Sequence, residues 1–181
     1  MATFTANSIQ LSTGAQFVGT TNGLSDAPTG TIIQTAINGT TNNITANSDG
    51  SYSDLLSLSF TPRQSNSKII FSIMFNAYYY NSSSGSGSNG TSYRLLRDST
   101  SIKEGDWCFY LHESAYPRDY YPTVNTFGFD EPGTTSAITY KLQGRKYSGN
   151  SSRFATQFGE PQRSGGALGN SIVLKLEELS V

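Results

Sequence analysis

Three groups of residues in this chain have the types that chemistry uses, and in each the spacing falls short. Gly85-Ser86-Gly87-Ser88-Asn89-Gly90 matches GxGxxG and comes after a strand-like run. A dinucleotide site also needs a helix directly after the glycines, so that its N-terminus can hold the pyrophosphate. The residues beyond the glycines, Ser92-Tyr93-Arg94-Leu95-Leu96-Arg97-Asp98, are strand-like, and the glycines therefore read as a flexible Gly/Ser loop. Cys108 and His112 are the only residues of their kinds. On a strand they share a face but lie roughly 13 Å apart, beyond the reach of a nucleophile and its base. They are also too few for a zinc site, which takes three or four ligands. Asp106, Glu113, Asp119, Asp130 and Glu131 are available as paired carboxylates, but the required separation is a tertiary property and nothing in the order selects two of them. The reading is of a non-enzymatic protein with no cofactor and no metal.

The segment Asp106–Pro122 (DWCFYLHESAYPRDYYP) is the strongest candidate for contacts with a partner. Trp107, Phe109, Tyr110, Tyr116, Tyr120 and Tyr121 crowd into a loop-prone stretch with Arg118 and Asp119. Flat rings beside polar groups suit a sugar ring or a protein hot spot, and they equally suit a core edge or a subunit seam.

The elements that would position these groups are strands. Lys68–Tyr80 (KIIFSIMFNAYYY) places Ile69, Phe71, Ile73, Phe75, Ala77 and Tyr79 on one face, and Ile70, Met74, Tyr78 and Tyr80 on the other with Ser72 and Asn76. A sheet in a lone β domain hides one face and wets the other. Here both faces are largely apolar, so a partner subunit is expected to cover the second one. Ile70, Met74, Tyr78 and Tyr80 are the candidate self-association residues. Left wet, each large side chain forfeits roughly 1.5–3 kcal/mol.

Further strands are expected at Thr31–Ile37, ending in a turn at Asn38-Gly39, and at Leu56, Leu58 and Phe60 ahead of Pro62. After the NSSSGSGSNG loop, Ser92–Leu96 and Ser101–Lys103 flank a tight turn led by Asp98. Trp107–His112, Val124–Phe129, Ala137–Gln143 and Ile172–Leu179 complete the set, and no helix or internal repeat is evident. This is an all-β chain, an antiparallel sandwich or jelly roll over residues 31–181. Residues 1–30 read as an extended N-terminal arm with thin apolar anchors at Phe4, Ile9, Leu11, Phe17, Val18 and Leu24.

Composition sets limits on function. Of 181 residues, 14% are charged and 12% aromatic, and Lys+Arg 12 against Asp+Glu 13 gives a net charge of −1. No basic field exists to hold phosphates, which argues against nucleic acid as a partner. The start of the chain lacks the pattern of a signal peptide, and no apolar run approaches the roughly 20 residues that cross a bilayer, so no membrane insertion is expected. The single cysteine excludes an intrachain disulfide and fits synthesis in a reducing cytosol. Sequons at Asn38, Asn43, Asn81, Asn89 and Asn150 are what an Asn-, Ser- and Thr-rich chain contains by chance.

Several runs, in order, carry a resemblance. They are Ser67-Lys68-Ile69-Ile70; Arg94–Thr100 (RLLRDST) leading to Ile102 and Gly105-Asp106; Phe129–Ala137 (FDEPGTTSA); Thr139–Gln143 (TYKLQ); and Ser171–Leu179 (SIVLKLEEL). Together, over roughly Thr31 to Leu179, the chain resembles the small virion-surface domains of tailed bacteriophages. That resemblance implies a jelly-roll module forming a homotrimer, like tumour-necrosis-factor-like and C1q-like heads, in head fibres, tail fibres or capsid decorations. It carries over no catalytic residues. The chain departs from the pattern at Asp106–Pro122, which is longer and more aromatic. The resemblance leaves two roles as expectations, for a protein assembled in the host cytoplasm and sited on the virion surface. One is a capsid cement or decoration protein whose arm docks on the major capsid protein or another virion protein. The other is a fibre tip that binds a host surface glycan.

Overall fold

The computed structural model describes residues 27–41, 44–45, 50–81, 87–113, 119–146, 154–158 and 172–181, with the backbone alone at 78–81, 87–89, 106–107, 109–113, 119–120 and 154–158. The strands are β1 (Ile32–Thr40), β2 (Ile44–Thr45), β3 (Ser53–Phe60), β4 (Lys68–Asn81), β5 (Gly87–Arg97), β6 (Thr100–Glu113), β7 (Asp119–Tyr120), β8 (Thr123–Asp130), β9 (Ile138–Lys146), β10 (Phe154–Phe158) and β11 (Ile172–Leu179). Every pairing is antiparallel, and no helix occurs among the described residues.

The first sheet runs β1-β11-β4-β8. Beyond the start of β11, β10 pairs with the last residues of β4, and β2 lies outside it; β7 pairs with β4 beyond the start of β8. The second sheet runs β3-β9-β5-β6. Numbered in chain order, the eight long strands read 1-8-3-6 and 2-7-4-5 across the two sheets. Each strand but one therefore crosses to the opposite sheet, the β5–β6 hairpin being the exception. This is a β-sandwich with the chain order of a jelly roll.

Alternation in the sequence explains the core. In β4, Ile69, Phe71, Ile73, Phe75 and Ala77 are buried, and in β11 Ile172, Leu174 and Leu176 join them. Leu56, Phe60, Tyr93, Leu95, Tyr140 and Leu142 of the second sheet close the layer from the other side. Phe75 meets Tyr93, and Phe60 meets Tyr140, edge to face, with ring centroids 5.8 and 6.5 Å apart.

Three local readings need correction. Asn38-Gly39 is no turn: both residues stay in β1, opposite Leu174 and Val173 of β11, because a paired partner satisfies their backbone where a turn would leave it open. The segment expected as loop through Gly90 is strand from Gly87 onward, paired with Tyr110–Glu113 of β6. The short β2 and β10 have no signal in the alternation, since two to five residues cannot establish a period. The turn at Asp98 is as expected, with Arg97 opposite Thr100 and Asp98 at φ 52°, a conformation aspartate tolerates.

Polar groups lock one end of the sandwich. Asp98 N–H donates to Thr139 O (2.8 Å), and Thr139 N–H donates to Asp98 Oδ1 (2.9 Å). Buried Glu178 accepts from the N–H groups of Arg63 (2.8 Å) and Gln64 (3.1 Å) and from Ser67 Oγ (2.8 Å). Ser180 binds the entering chain, donating from Oγ to Pro28 O (2.6 Å) and accepting from Gly30 N–H (2.8 Å). Buried Asp130 takes Arg97 Nη1 (2.8 and 3.1 Å) and the Tyr140 hydroxyl (2.8 Å).

Burial, then the hydrogen bond to Asp130, pushes the Tyr140 hydroxyl well above its ordinary value. The folded state thus keeps a proton that the unfolded chain releases above about pH 10, so this stability is complete below that pH and declines as pH rises beyond it. Tyr140→Phe is expected to lose about 2 kcal/mol at pH 8, the worth of a hydrogen bond to a charged acceptor. The deficit relative to wild type should shrink between pH 10 and 11 in urea titrations; a pH-independent deficit would contradict this account.

Candidate functional site

The two sheets present different surfaces to solvent. Outside the second sheet, Tyr52 carries the guanidinium groups of Arg94 and Arg145 over its ring, at 4.0 and 4.8 Å from the centroid. Arg94 Nε donates to Gln143 (2.7 Å), Gln143 donates to Asp54, and Lys141 Nζ lies 3.0 Å from Asp54. The Gln143 amide, then Lys141 and Arg94, hold the Asp54 carboxyl below the usual value. This is a wet, charged face of the ordinary kind.

The outside of the first sheet carries several exposed apolar side chains among polar ones. Its outward rows, read across the hydrogen bonds, are Thr35–Glu177–Ile70–Phe129, Ile37–Lys175–Ser72–Phe127 and Gly39–Val173–Met74–Asn125. Phe127 is 78% exposed, Ile37 64%, Phe129 63% and Met74 40%, with Ile70 and Val173 half-buried. The charges on this face neutralise one another: Lys175 Nζ lies 2.7 Å from Glu177, and Lys68 lies 3.2 Å from Glu131 and over the Phe129 ring at 5.3 Å. The face is thus of low net charge, with apolar side chains on all four strands and Thr35, Glu177, Lys175, Ser72 and Asn125 between them.

Three inward residues fix the orientation of β8. Val124 and Asp130 are buried, and Gly128 takes the inward position between Phe127 and Phe129, opposite Phe71. A Cβ on Gly128 would run into the Phe71 ring. The ring fills the space a β8 side chain would use, and the phenylalanines are left outside.

Of the residues selected from sequence for self-association, Ile70 and Met74 lie on this face. Tyr78 and Tyr80 continue the same strand, and their side chains lie outside the described residues. Phe127, Phe129 and Ile37 belong to the face and were missed. Their signal was present in β8, where Phe127 and Phe129 flank a glycine, a pattern that marks an inverted strand once the glycine is assigned to the core. Of the aromatic segment, Trp107 and Tyr110 fall in β6 and Tyr120 in β7, where the backbone alone is described, and Tyr121 is 45% exposed. Tyr116 and Arg118 lie outside the described residues, as do Phe4, Ile9, Leu11, Phe17, Val18 and Leu24.

The residues with chemical potential are engaged structurally where they are described. Cys108 is half-buried, and its thiol donates to Thr91 O (3.0 Å). Asp130 holds Arg97 and Tyr140, and Glu131 pairs with Lys68. The glycines of GxGxxG lead into β5 and not into a helix. Among the described residues no three His, Cys, Asp or Glu side chains are grouped to hold a metal ion.

No family profile matches the chain, and no curated protein matches it in sequence. Among solved structures it is similar to infectious bursal disease virus, Gx strain, at 12% identity and TM-score 0.38, over 82% of this chain and 38% of that one. It is also similar to the VP2 subviral particle of the same virus, at 13% identity and TM-score 0.29, over 81% and 37%. A third likeness is to dimeric latent PorU from Porphyromonas gingivalis, at 9% identity and TM-score 0.33, over 84% and 14%. The chain spans well under half the length of each. At these TM-scores the likenesses assign no function, and the jelly-roll order stands on the pairings above.

If the Phe71 ring sets the parity of β8, Gly128→Val is expected to destabilise the protein by about 1–3 kcal/mol, the range for overpacking a filled core. Phe71→Ala should cost about 3–5 kcal/mol alone. In the double variant the total loss should be much less than the sum of the two, because the valine then occupies the vacated space. Simple additivity in chemical denaturation would show that the two residues do not compete for it.

Proposed function

We propose that this chain is a non-enzymatic structural protein of a tailed-phage virion, a homotrimer acting as a capsid cement or decoration protein. The observation that carries the reading is the outward face of the first sheet. A jelly roll that keeps Phe127, Phe129, Ile37 and Met74 in water, while its second sheet has an ordinary charged exterior, is built to be completed by another surface. Each large side chain covered there contributes roughly 1.5–3 kcal/mol. The paired charges avoid the penalty of burying an isolated ion. The ordered runs shared with virion-surface domains supply the setting, and sister copies around a three-fold axis supply the cover.

In this reading the arm is the attachment device. The chain enters the fold at Ala27–Thr31, tied to Ser180 beside the exposed C-terminal Val181, so residues 1–26 precede a fixed point. Three arms on one trimer gain avidity from individually weak contacts on the shell. The runner-up, a head- or tail-fibre tip binding a host surface glycan, is favoured by exposed Tyr121 at the end of the aromatic segment.

Light scattering at micromolar concentration is expected to give the mass of three chains. Phe127→Asp should lower it toward one chain while leaving the strand signature in circular dichroism intact. A single-chain mass for the wild type would remove the assembly reading. Deleting residues 1–26 should abolish binding to capsids and keep the trimer; capsid binding that survives the deletion would count against the arm. Loss of host-cell adsorption on Tyr121→Ala, with capsid stability unchanged, would favour the fibre tip.

A further inference from the structure

We infer that the exterior of the second sheet holds a site for one tetrahedral oxyanion, a phosphate or sulfate group, formed by Arg94, Arg145 and Ser92 beside Tyr52. Its groups lie within one copy of the chain, on the sheet opposite the exposed phenylalanines. Tyr93 and Leu95 of β5 and Leu142 and Gly144 of β9 are buried toward the core, so Ser92, Arg94, Gln143 and Arg145 between them face outward. They belong to two adjacent rows. One, Asp54–Gln143–Arg94–Glu104, crosses all four strands. The other pairs Arg145 with Ser92, and Tyr52 stands at its end directly ahead of β3.

Arg94 is held without being neutralised. Its guanidinium lies 4.0 Å from the centre of the Tyr52 ring, and among the described residues it donates from Nε alone, to the neutral amide of Gln143 (2.7 Å). The two carboxylates of its row are engaged elsewhere, Asp54 by Gln143 and Lys141 Nζ (3.0 Å), and Glu104 by Ser101 Oγ (2.8 Å). Ring and amide fix the plane of the fork, so little freedom is lost when it takes two oxygens of an anion. Arg145 lies 4.8 Å from the same ring centre, which puts the two guanidinium carbons no more than about 9 Å apart. The central atom of a bound phosphate or sulfate stands roughly 4 Å from a guanidinium carbon, so one such group spans both. Two like charges this close repel, and an anion between them relieves the repulsion. Ser92 is an independent sign of a ligand. It is fully buried, its Oγ has no hydrogen-bond partner, and it lies opposite Arg145 on the outward side. A tetrahedral group directs oxygens to both forks and to this hydroxyl, whereas a planar carboxylate has two oxygens for the three. The next cation, Lys141, is taken by Asp54, so the site fits one anionic group and not a polyanion track.

The group can come as the free ion or as an ester on a sugar. The test is an NMR titration of the full chain near neutral pH, with sodium chloride exchanged for sodium phosphate, sodium sulfate, glucose 6-phosphate or sodium acetate at constant ionic strength. Saturable shifts are expected at the Arg145 Nε–H and the Ser92 amide for the first three, and binding of acetate at least about tenfold weaker, the loss of one hydrogen bond to a charged group. Arg94→Gln and Ser92→Ala should each weaken phosphate binding by about the same factor while keeping the strand signature in circular dichroism. Arg94→Lys, which keeps the charge and loses the fork, should also weaken it about tenfold. Tighter binding of glucose 6-phosphate than of phosphate identifies the ester as the source, and equal affinity the free ion; both uphold the site. Shifts that rise without saturating, that are as large at Arg63, that acetate reproduces, or that Arg94→Gln and Ser92→Ala leave unchanged would overturn it.

Discussion

The ring of Phe71 lies against the backbone of Gly128, and the character of the molecule depends on that contact. A strand side chain has two choices, inward or outward, and its neighbours are then fixed by alternation. With the inward position opposite Phe71 closed to any side chain, β8 turns Phe127 and Phe129 to the outside. The neighbouring strand β4 already carries Ile70 and Met74 there. Core packing on one side of the sheet thus dictates an apolar surface on the other.

That surface is matched by firmness elsewhere. The end where the chain enters is bound by charged and backbone hydrogen bonds: Ser180 to Pro28 and Gly30, Glu178 to the loop before β4, and Asp130 to Arg97 and Tyr140. Removing one partner from such buried groups leaves a desolvated donor or charge, which costs more than the bond itself contributes. The start of β1 is therefore firmly held. The exposed apolar side chains of the first sheet thus sit on the same body as a firmly held chain entry. No comparable convergence of reactive groups occurs among the described residues.

Much of this was legible in the residue order. The run of apolar residues in Lys68–Tyr80 marked the central strand of the first sheet. Ile172–Leu179 was recognisable to the residue as a strand, and Asp98 marked its hairpin turn. The reading failed where a local signal competed with pairing. Asn38-Gly39 has turn chemistry but lies in the ladder of β1 with β11, and Gly87–Gly90 has loop composition but lies opposite β6. Backbone groups with a partner across the sheet gain more from the ladder than from a local turn.

What the sequence alone determined is the class: alternation specifies strands, and Lys68–Tyr80 carries apolar residues on both faces. Only the tertiary structure decided which residues lie on the outward face of the first sheet. Phe127, Phe129 and Ile37 were not selected in the linear reading, since alternation defines two faces without saying which is inside. For β8 a phenylalanine far away in the chain, on β4, leaves no room beneath it for anything larger than glycine.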